Sequence, residues 1–205
     1  MEQRTEEWFA ARLGCVTASR IADVMMKPTT AGYSNYKAQL VCERLTGVAT
    51  EGFTSSAMQH GTDTEPQARA FYEMETGLDV AEVGFIPNAS IPMSGASPDG
   101  LVGELGLVEI KCPQPAEHIR VLGGGDIKRN YLLQMQWQME CTGREWCDFV
   151  SFNPSLPHEM QMHCQRVEAD RELQADIAKA VTAFLADVDA TAKHLIETYQ
   201  KKEAA

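Results

Sequence analysis

The run GLVEIKCP, residues 106–113, limits the folds open to this chain more than any other stretch. Its apolar residues favour a β-strand, and side chains alternate between the two faces of a strand. Glu109 and Lys111 therefore lie on one face, and Val108 and Ile110 lie on the other. Charges within an apolar strand are tolerated when they are paired or bind a metal ion. The run predicts a buried strand with a functional pair of charges, unless it is a surface strand whose charges only aid solubility.

The composition is that of one well-cored globular domain. The chain has 205 residues, of which 44% are hydrophobic and 23% are charged. No repeat, low-complexity tract or linker divides it, so we expect a single domain over residues 1–205. No apolar run has the length of a membrane span, and the charged opening MEQRTEEWFAARLG does not resemble a signal peptide. We therefore expect a cytoplasmic protein without a membrane partner.

The six scattered cysteines suit reduced thiols better than a disulfide framework. A zinc site formed by Cys141, Cys147, His163 and Cys164 is the alternative. The sequence has no CxxC pair, however, and neighbouring His163 and Cys164 would point to opposite sides of a strand. Reduced cysteines are therefore the prediction.

The net charge of −11 argues against simple nucleic-acid binding, which usually leaves a basic surface. The charge is unevenly distributed, because residues 51–110 hold ten carboxylates and one arginine. Such a cluster is either a solvated face or a place where oxygen ligands hold a hard divalent cation.

Hydrophobic periodicity predicts helices that alternate with short, turn-bounded strands. Gly47, Gly77 and Gly143 end three of the helical patterns, Asp126 is the expected N-cap of the fifth, and residues 103–106 form a hairpin connection. This order fits a mixed sheet flanked by helices, an α/β fold. The predicted helices are 5–13, 17–26, 34–46, 56–76, 126–142 and 170–201, and the predicted strands are 80–87, 92–97, 99–103, 106–112, 145–152 and 160–167.

The last predicted helix, from about residue 170 to residue 201, carries an apolar stripe. Ile177, Val181, Phe184 and Val188 recur at spacings of three and four residues. The simpler interpretation is that this stripe packs on the rest of the domain, and a contact with another subunit is the alternative.

A second carboxylate, Asp99, lies ten residues before Glu109. A hairpin would bring Asp99 beside Glu109, where the two carboxylates could hold Mg²⁺ together with the main-chain carbonyl of Ile110. A bound Mg²⁺ polarises a phosphodiester and activates a water molecule, while Lys111 orients that water or offsets the developing charge. The alternative is that Asp99 belongs to a plain turn and that the two charges of the strand form a surface pair.

Other polar residues on helices could complete such a site. Glu65, on the long helix before the strands, could face the sheet and serve a second ion. Gln134 and Gln138 are four residues apart on the helix after the strand, with Tyr131 one turn before Gln134. Glutamines on an otherwise apolar helix need a polar partner, although structural hydrogen bonding, or solvent exposure of Gln136 and Gln138, is the alternative.

The N-terminal region resembles an anion-binding arrangement. Trp8 and Arg12 are one turn apart on the first predicted helix, which Gly14 ends before Thr17 and Ser19 open the next. Free N–H groups at a helix start, two hydroxyls and a guanidinium together suit a terminal phosphate. The alternatives are a plain N-cap for Thr17 and a surface charge for Arg12.

Five blocks of this sequence resemble the lambda-type (YqaJ-type) viral exonucleases, a branch of the PD-(D/E)xK nuclease superfamily. The blocks are WFAARLGCVTAS (8–19), HGTDTEPQARAFYE (60–73), SPDGL (97–101), GLVEIKCP (106–113) and YLLQMQ (131–136). They follow the family's order at similar spacing, and the likeness spans most of the chain. Five blocks in order are more specific than any one of them.

The resemblance implies a restriction-endonuclease-like PD-(D/E)xK core and a role for each matching position. The family's metal ligands would be Asp99 and Glu109, and its catalytic lysine would be Lys111. Its additional helix-borne acid would be Glu65, and its motif glutamine would be Gln134. The residues of the family's 5′-phosphate pocket would be Arg12, Thr17, Ser19 and Ser97.

The resemblance also implies an activity and partners. The enzyme would be a Mg²⁺-dependent 5′→3′ exonuclease with two ions per site and with Mn²⁺ as a substitute. It would digest one strand of double-stranded DNA from a 5′-phosphorylated end and leave 3′ tails for a single-strand annealing protein. This reaction belongs to phage-type homologous recombination in the cytoplasm of a bacterial host. The family's ring-shaped homotrimers enclose DNA, which would reconcile an acidic protein with a DNA substrate.

Two other functions use the same residues. A structure-specific or restriction-type endonuclease of the superfamily would also cut a closed DNA circle. A non-catalytic DNA-binding or assembly module would bind DNA without any hydrolysis in Mg²⁺. A complete set of two acids and a lysine has little reason to persist in such a module.

Overall fold

The computed structural model describes residues 2–50 and 56–200. Its strands are β1 (Val16–Thr17), β2 (Val80–Ala81), β3 (Ile86–Pro87), β4 (Ser94–Ala96), β5 (Gly100–Val102), β6 (Gly106–Lys111), β7 (Trp146–Phe152) and β8 (Met162–Glu168). The main sheet has the order β2-β5-β6-β7-β8, and a smaller sheet has the order β1-β4-β3. Because β6 and β7 are parallel while the other neighbours in the main sheet are antiparallel, the predicted mixed sheet is confirmed.

The helices are α1 (Glu6–Arg12), α2 (Ile21–Val24), α3 (Ala31–Thr46), α4 (Ser56–Thr76), α5 (Pro115–Leu122), α6 (Arg129–Thr142) and α7 (Arg171–Leu195). As predicted, Gly47 and Gly143 end α3 and α6, and their φ angles of 69° and 68° lie in the left-handed region that favours glycine. Among the described helices, none is both long enough and apolar enough to cross a membrane.

The strand predicted from GLVEIKCP is β6, and it is buried on both faces. Val108 and Ile110 pack on one face with Tyr72 of α4. Leu107 packs on the other face with Met139 of α6. Since side chains alternate along the strand, the carboxylate within β6 also points towards α6.

Two glycines fix the position of β6. Gly103, with a φ of 53°, turns the chain between β5 and β6, so the hairpin forms as predicted. Gly106 faces Trp146 at the start of β7, and a Cβ on Gly106 would lie 2.1 Å from the indole ring. This close approach requires glycine and fixes the register between the two parallel strands.

Three local predictions are wrong. Residues 17–26 do not form one helix, because Val16 and Thr17 pair with β4 before a 3₁₀ turn over Ala18–Arg20 leads into α2. The predicted strand 80–87 is two short strands, β2 and β3, in different sheets. The N-cap of α6 is Lys128 rather than Asp126. In the first two cases, pairing with distant strands outweighs the local pattern.

The helix α5 was not predicted. It has eight residues and follows β6 directly, with Pro115 at its first position, where a proline is well tolerated. His118 in this helix is fully buried; its Nδ1 atom lies 2.8 Å from Ser151 Oγ, and its Nε2 atom lies 2.8 Å from the carbonyl oxygen of Met160. A helix of eight residues is shorter than the window of about 11–18 residues over which periodicity indicates a helix.

The apolar stripe of α7 packs on the rest of the molecule, so the simpler interpretation of this stripe is confirmed. Its fully buried members are Ile177, Val181, Phe184 and Val188. The centre of the Phe184 ring lies 4.8 Å from that of Tyr33 and 5.3 Å from that of Tyr36, both on α3. The α-helix ends at Leu195 and a π-helical turn reaches residue 200, while residue 201 lies outside the described residues.

All six cysteines are free thiols, in agreement with the prediction. Cys15 and Cys147 are buried, whereas Cys42 and Cys164 are exposed. Within residues 2–50 and 56–200, no group of three or more His, Cys, Asp or Glu side chains is arranged to hold a metal ion.

Candidate active site

A cleft of about 540 Å³ opens beside the end of β6. Three of the side chains predicted to be catalytic line it, namely Asp99, Lys111 and Glu65. The remaining residues of its wall are Arg4, Ser19, Gly61, Thr62, Ile110, Cys112, Pro113, Gln114 and Tyr131. The fold therefore brings together acids and a lysine from a helix, a turn and a strand.

Asp99 comes directly before β5 and lies next to β6. Gly100 pairs with Val108, so the following position of the ladder places Asp99 beside Glu109. The Oδ2 atom of Asp99 accepts a hydrogen bond of 2.7 Å from the N–H of Ile110. Burial, and then the charge of Glu109, raises the pKa of Asp99 well above its usual value. A cation bound here would favour the ionised carboxylate.

Glu109 is fully buried and is held by three donors. The Nε2 atoms of Gln134 and Gln138 donate hydrogen bonds of 2.6 Å to Oε1 and Oε2 respectively. The ammonium of Lys111 forms an ion pair with Oε1. The four-residue spacing on α6 puts both glutamines on the face that meets β6. Because Gln138 is itself fully buried, the alternative that it faces solvent is wrong.

Lys111 carries a positive charge at neutral pH. Burial alone would lower the pKa of Lys111, but the charges of Glu109 and Asp99 together outweigh burial and raise this pKa. The ammonium also lies 5.2 Å from the centre of the Tyr131 ring, within the range of a cation–π contact. The lysine is thus fixed beside the two acids in its protonated form.

Glu65 reaches the cleft from α4 and is held by two arginines. Its Oε2 atom is 3.3 Å from Arg4, and its Oε1 atom is 2.9 Å from Arg69. Arg69 also pairs with Glu82 at 2.6 Å. The structure therefore places this acid where the sequence predicted it, already paired with positive charges.

The oxygen atoms at and beside the cleft are suitable ligands for a hard divalent cation. The residues that would hold one are Asp99, Glu109 and Ile110 through its main-chain carbonyl, all of which offer oxygen, the ligand that Mg²⁺ prefers. Burial, and then the charge of Glu109, raises the pKa of Asp99, and a cation bound beside it would lower this pKa. Glu65 is the further acid on the cleft wall.

A smaller cavity of about 50 Å³ lies next to the cleft. It is lined by Arg12, Thr17, Ala18, Ser19, Ser97 and Gln134. All four residues predicted for a 5′-phosphate pocket thus meet in one place. The hydroxyl oxygens of Thr17 and Ser19 are 3.5 Å apart, so both can face the same small anion.

Trp8 and Ser97 position the guanidinium of Arg12. The guanidinium carbon lies 3.8 Å from the centre of the Trp8 ring, and Nη1 donates a hydrogen bond of 3.4 Å to Ser97 Oγ. The indole N–H of Trp8 donates to the same oxygen at 3.0 Å. Burial lowers the pKa of Arg12 to about 10, so the group stays charged at neutral pH. A buried charge of this kind is stabilised when an anion joins it.

Gln134 and Ser19 connect the two cavities. Gln134 lines the small cavity and also donates to Glu109. Ser19 lines both the small cavity and the cleft. The small cavity therefore lies next to the carboxylates of Asp99 and Glu109.

Several residues that build the site carried no signal in the sequence. Tyr36 of α3 accepts a hydrogen bond of 3.1 Å from the N–H of Thr17 and so fixes one wall of the small cavity. Arg4 lines the cleft and pairs with Glu65, 61 residues away. Such contacts depend on the tertiary fold and leave no regular spacing in the chain. Gln138 differs from these residues, because its four-residue spacing from Gln134 did indicate in the sequence that it needs a polar partner.

Comparison with known proteins identifies the family. A model of the YqaJ-like viral recombinase domain matches residues 7–145. This range includes every residue that lines the cleft and the small cavity, apart from Arg4. This chain belongs to the YqaJ-like viral recombinase family. The predicted family, and with it an enzyme of the nuclease class, is confirmed.

Solved structures extend this result to the fold. The YqaJ-like chain is 53% identical to the alkaline exonuclease LHK-Exo from Laribacter hongkongensis, over 96% of this chain and 99% of that chain, with a TM-score of 0.91. LHK-Exo has also been solved in complex with dAMP. The phage-related exonuclease from Haemophilus somnus 129PT is 17% identical over 88% of this chain and 96% of that chain, with a TM-score of 0.69, and shares the fold. The predicted PD-(D/E)xK fold is confirmed.

A curated relative is much longer than the YqaJ-like chain. The uncharacterized protein R354 of Acanthamoeba polyphaga mimivirus is 28% identical over 172 residues. The match covers 73% of this chain and 29% of that protein. The YqaJ-like chain therefore spans less than a third of the length of this relative.

Proposed function

We propose that this YqaJ-like protein is a Mg²⁺-dependent exonuclease that degrades one strand of double-stranded DNA in the 5′→3′ direction. The observation that carries the proposal is the hydrogen bond from Gln134 to Glu109, because Gln134 also lines the anion cavity. The bond joins a group suited to hydrolysis and a pocket suited to a terminal phosphate. The 53% identity to an alkaline exonuclease that has been solved with dAMP supports a nucleic-acid substrate.

Divalent metal binding is the first part of this proposal. Asp99, Glu109 and the carbonyl of Ile110 would hold a Mg²⁺ ion, and Glu65 would serve a second one. When bound, the metal supplies polarisation of the scissile phosphodiester and activation of the attacking water. Mn²⁺ favours similar oxygen ligands and is expected to substitute.

The side chains around Glu109 provide positioning and positive charge. Gln134 and Gln138 each hold one oxygen of Glu109, so the orientation of this proposed metal ligand is already fixed. Lys111 keeps its proton at neutral pH because Glu109 and Asp99 outweigh the effect of burial on its pKa, and it brings a fixed positive charge to the cleft. A preoriented charge of this kind stabilises the negative charge that develops on the phosphoryl oxygens during hydrolysis.

The small cavity would give the reaction its direction. Arg12 would bind the terminal 5′ phosphate by charge-assisted hydrogen bonds, with the hydroxyls of Thr17, Ser19 and Ser97 as further partners. Trp8 keeps the guanidinium in place by stacking on it. A phosphate held here determines which phosphodiester enters the cleft, so the enzyme would start at a 5′ end.

Assembly and biological role complete the proposal. Residues 1–205 would form one nuclease domain, and three copies would form a ring around DNA. Enclosure would make a net charge of −11 compatible with a DNA substrate, because only the channel needs a favourable potential. The 3′ tails would be passed to a single-strand annealing protein, in recombination of phage or prophage origin within the bacterial cytoplasm.

The decisive experiment measures digestion of linear duplex DNA that carries 5′-phosphate, 5′-hydroxyl or covalently closed ends. It compares Mg²⁺ with a chelator, and the native chain with Lys111→Ala. Loss of one strand from the 5′-phosphate end, abolished by the chelator and by the substitution, supports the proposal. Cleavage of a closed substrate would instead identify an endonuclease, and DNA binding without hydrolysis would identify a non-catalytic module.

A further inference from the structure

Arg4 lies on the wall of the cleft and belongs neither to the proposed catalytic residues nor to the proposed 5′-phosphate pocket. About half of its side chain is exposed, at 49%, and its Nη2 atom is 3.3 Å from Glu65 Oε2. A guanidinium has five N–H donors, and the contact with Glu65 involves a single nitrogen. Arg4 therefore presents further donors to the cleft.

The backbone around Arg4 is held in a defined conformation. Gln3 donates hydrogen bonds from Nε2 to the carbonyl oxygens of Val83 at 2.9 Å and Pro98 at 2.8 Å. Pro98 directly precedes Asp99, so the N-terminal segment is tied to the turn that carries a predicted metal ligand. Arg4 itself has a φ of 67°, a left-handed conformation that costs a non-glycine residue energy and persists only when its surroundings impose it. This conformation precedes α1 and directs the arginine to the cleft.

The electrostatics of the cleft make this arginine important. Among the described residues that line the cleft, the basic ones are Arg4 and Lys111. Lys111 is paired with Glu109, whereas the Arg4 contact with Glu65 is long and partly exposed. Exposed pairs contribute little to stability, so a phosphate can replace Glu65 as a partner of Arg4 at small cost. A DNA strand that enters a cleft lined by two carboxylates, Asp99 and Glu65, needs such a cation.

We propose that Arg4 binds a backbone phosphate of the DNA strand that enters the cleft, and so acts as a positioning residue for the scissile strand. This inference rests on the proposed function, because it takes a DNA phosphate as the ligand. Arg4 exchanges Glu65 for the phosphate when DNA binds. The arginine thereby adds a contact that is separate from the pocket around Arg12.

The test measures binding of a 5′-phosphorylated duplex to the full chain, in chelator, over a series of salt concentrations. We expect Arg4→Ala to weaken binding roughly fivefold to tenfold near 0.1 M salt and to reduce the salt slope by about one, as the loss of one phosphate contact requires. Arg4→Lys should restore most of the affinity, because it keeps the charge. Lys179→Ala is the control, since this exposed lysine on α7 pairs with Asp176 away from the cleft.

Hydrolysis assays in Mg²⁺ separate this inference from the proposed function. We expect Arg4→Ala to raise KM by a similar factor and to preserve the preference for a 5′ phosphate. Unchanged affinity and salt slope in Arg4→Ala would show that the arginine only pairs with Glu65, and would overturn the inference. If the native chain binds DNA but hydrolyses none, the proposed function fails, while the salt slope still decides the role of Arg4.

Discussion

The Nε2 atom of Gln138 donates a hydrogen bond of 2.6 Å to Oε2 of Glu109, and both side chains are fully buried. The Oε1 atom of the same glutamine is buried and has no hydrogen-bond partner among the described residues. An unpaired buried oxygen costs about 1–3 kcal/mol. Gln138 therefore holds Glu109 in place at a cost to the stability of the fold.

This relationship predicts the effect of Gln138→Leu. The substitution removes a partner of Glu109 but also removes the unpaired oxygen, so we expect the free energy of unfolding to change little. We expect kcat to fall about 10- to 100-fold, because Glu109 is a proposed metal ligand and small errors in the position of a catalytic group are costly. Single-turnover hydrolysis together with chemical denaturation measures both quantities.

Gln136→Leu is the matched control on the same helix. Gln136 is also buried, but both ends of its amide have partners, in the carbonyl of Glu168, the N–H of Asp170 and the side chain of Gln174. We expect this variant to lose about 1–3 kcal/mol of stability and to keep its kcat. Equal losses of kcat in the two variants would contradict a positioning role for Gln138.

The raised pKa of Asp99 predicts that replacing this residue stabilises the protein in chelator, by an amount that depends on pH. Because the pKa of Asp99 is raised in the folded state, the folded chain binds this proton more tightly than the unfolded chain does. The contribution of Asp99 to stability is therefore greatest below its unfolded pKa, and it declines as the pH rises through the interval up to the folded pKa. Asp99→Asn removes this penalty, so in chelator at pH 7 the variant should be more stable than the native chain.

Thermal unfolding at several pH values tests this prediction. A gain of 1 kcal/mol corresponds to about 2–4 °C in Tm for a chain of this size, and we expect at least such a rise at pH 7 and a smaller one near pH 4. Adding Mg²⁺ should raise the Tm of the native chain more than that of Asp99→Asn, which should be inactive. Asp148→Asn is the contrast, because this buried acid is paired with Arg166 and its loss should lower the Tm. A lower Tm for Asp99→Asn at pH 7 would refute the account.

The residues of the site that could be predicted from the sequence are those whose relationships are local. Alternation along β6 placed Glu109 and Lys111 together, and a tight hairpin brought Asp99 beside them. The one-turn spacing of Trp8 and Arg12 on α1 predicted their contact in the same way. Short-range periodicity determines such pairs almost regardless of the rest of the fold.

The features that could not be predicted depend on contacts between distant segments. Thr17 was expected in a helix, but its pairing with β4 makes it part of a strand. The N–H of Thr17 then reaches Tyr36, which no spacing rule connects to it. The placement of Arg4 beside Glu65 likewise requires the tertiary fold, since 61 residues separate them.

The position of Arg12 in the small cavity predicts that its side chain determines the preference for 5′-phosphate ends. Arg12→Lys keeps a charge but loses the planar set of donors that stacks on Trp8, and Arg12→Ala loses both. We expect the ratio of digestion rates for 5′-phosphate and 5′-hydroxyl ends to fall about 10- to 100-fold in Arg12→Ala, the equivalent of about 1.5–3 kcal/mol for hydrogen bonds to a charged group. We expect the ratio for Arg12→Lys to lie between the ratio of the native chain and that of Arg12→Ala.

The controls for Arg12 use the same pair of substrates. The rate on 5′-hydroxyl ends should change much less than the rate on 5′-phosphate ends, because the cleft itself is intact. Lys179→Ala should keep the native ratio. An unchanged ratio in Arg12→Ala would show that the small cavity does not receive the 5′ phosphate.

Phe184 connects the C-terminal helix α7 to the small cavity. Its ring stacks on Tyr36 at 5.3 Å, and the Tyr36 hydroxyl holds the N–H of Thr17. We expect Phe184→Ala to lower the free energy of unfolding by about 3–5 kcal/mol, the usual cost of removing a buried aromatic ring. Tyr199→Ala, at a site that is 69% exposed, should change it by less than about 0.5 kcal/mol. Chemical denaturation measures both, and a loss below 1 kcal/mol in Phe184→Ala would mean that α7 contributes little to the core, so that its stripe would need another partner.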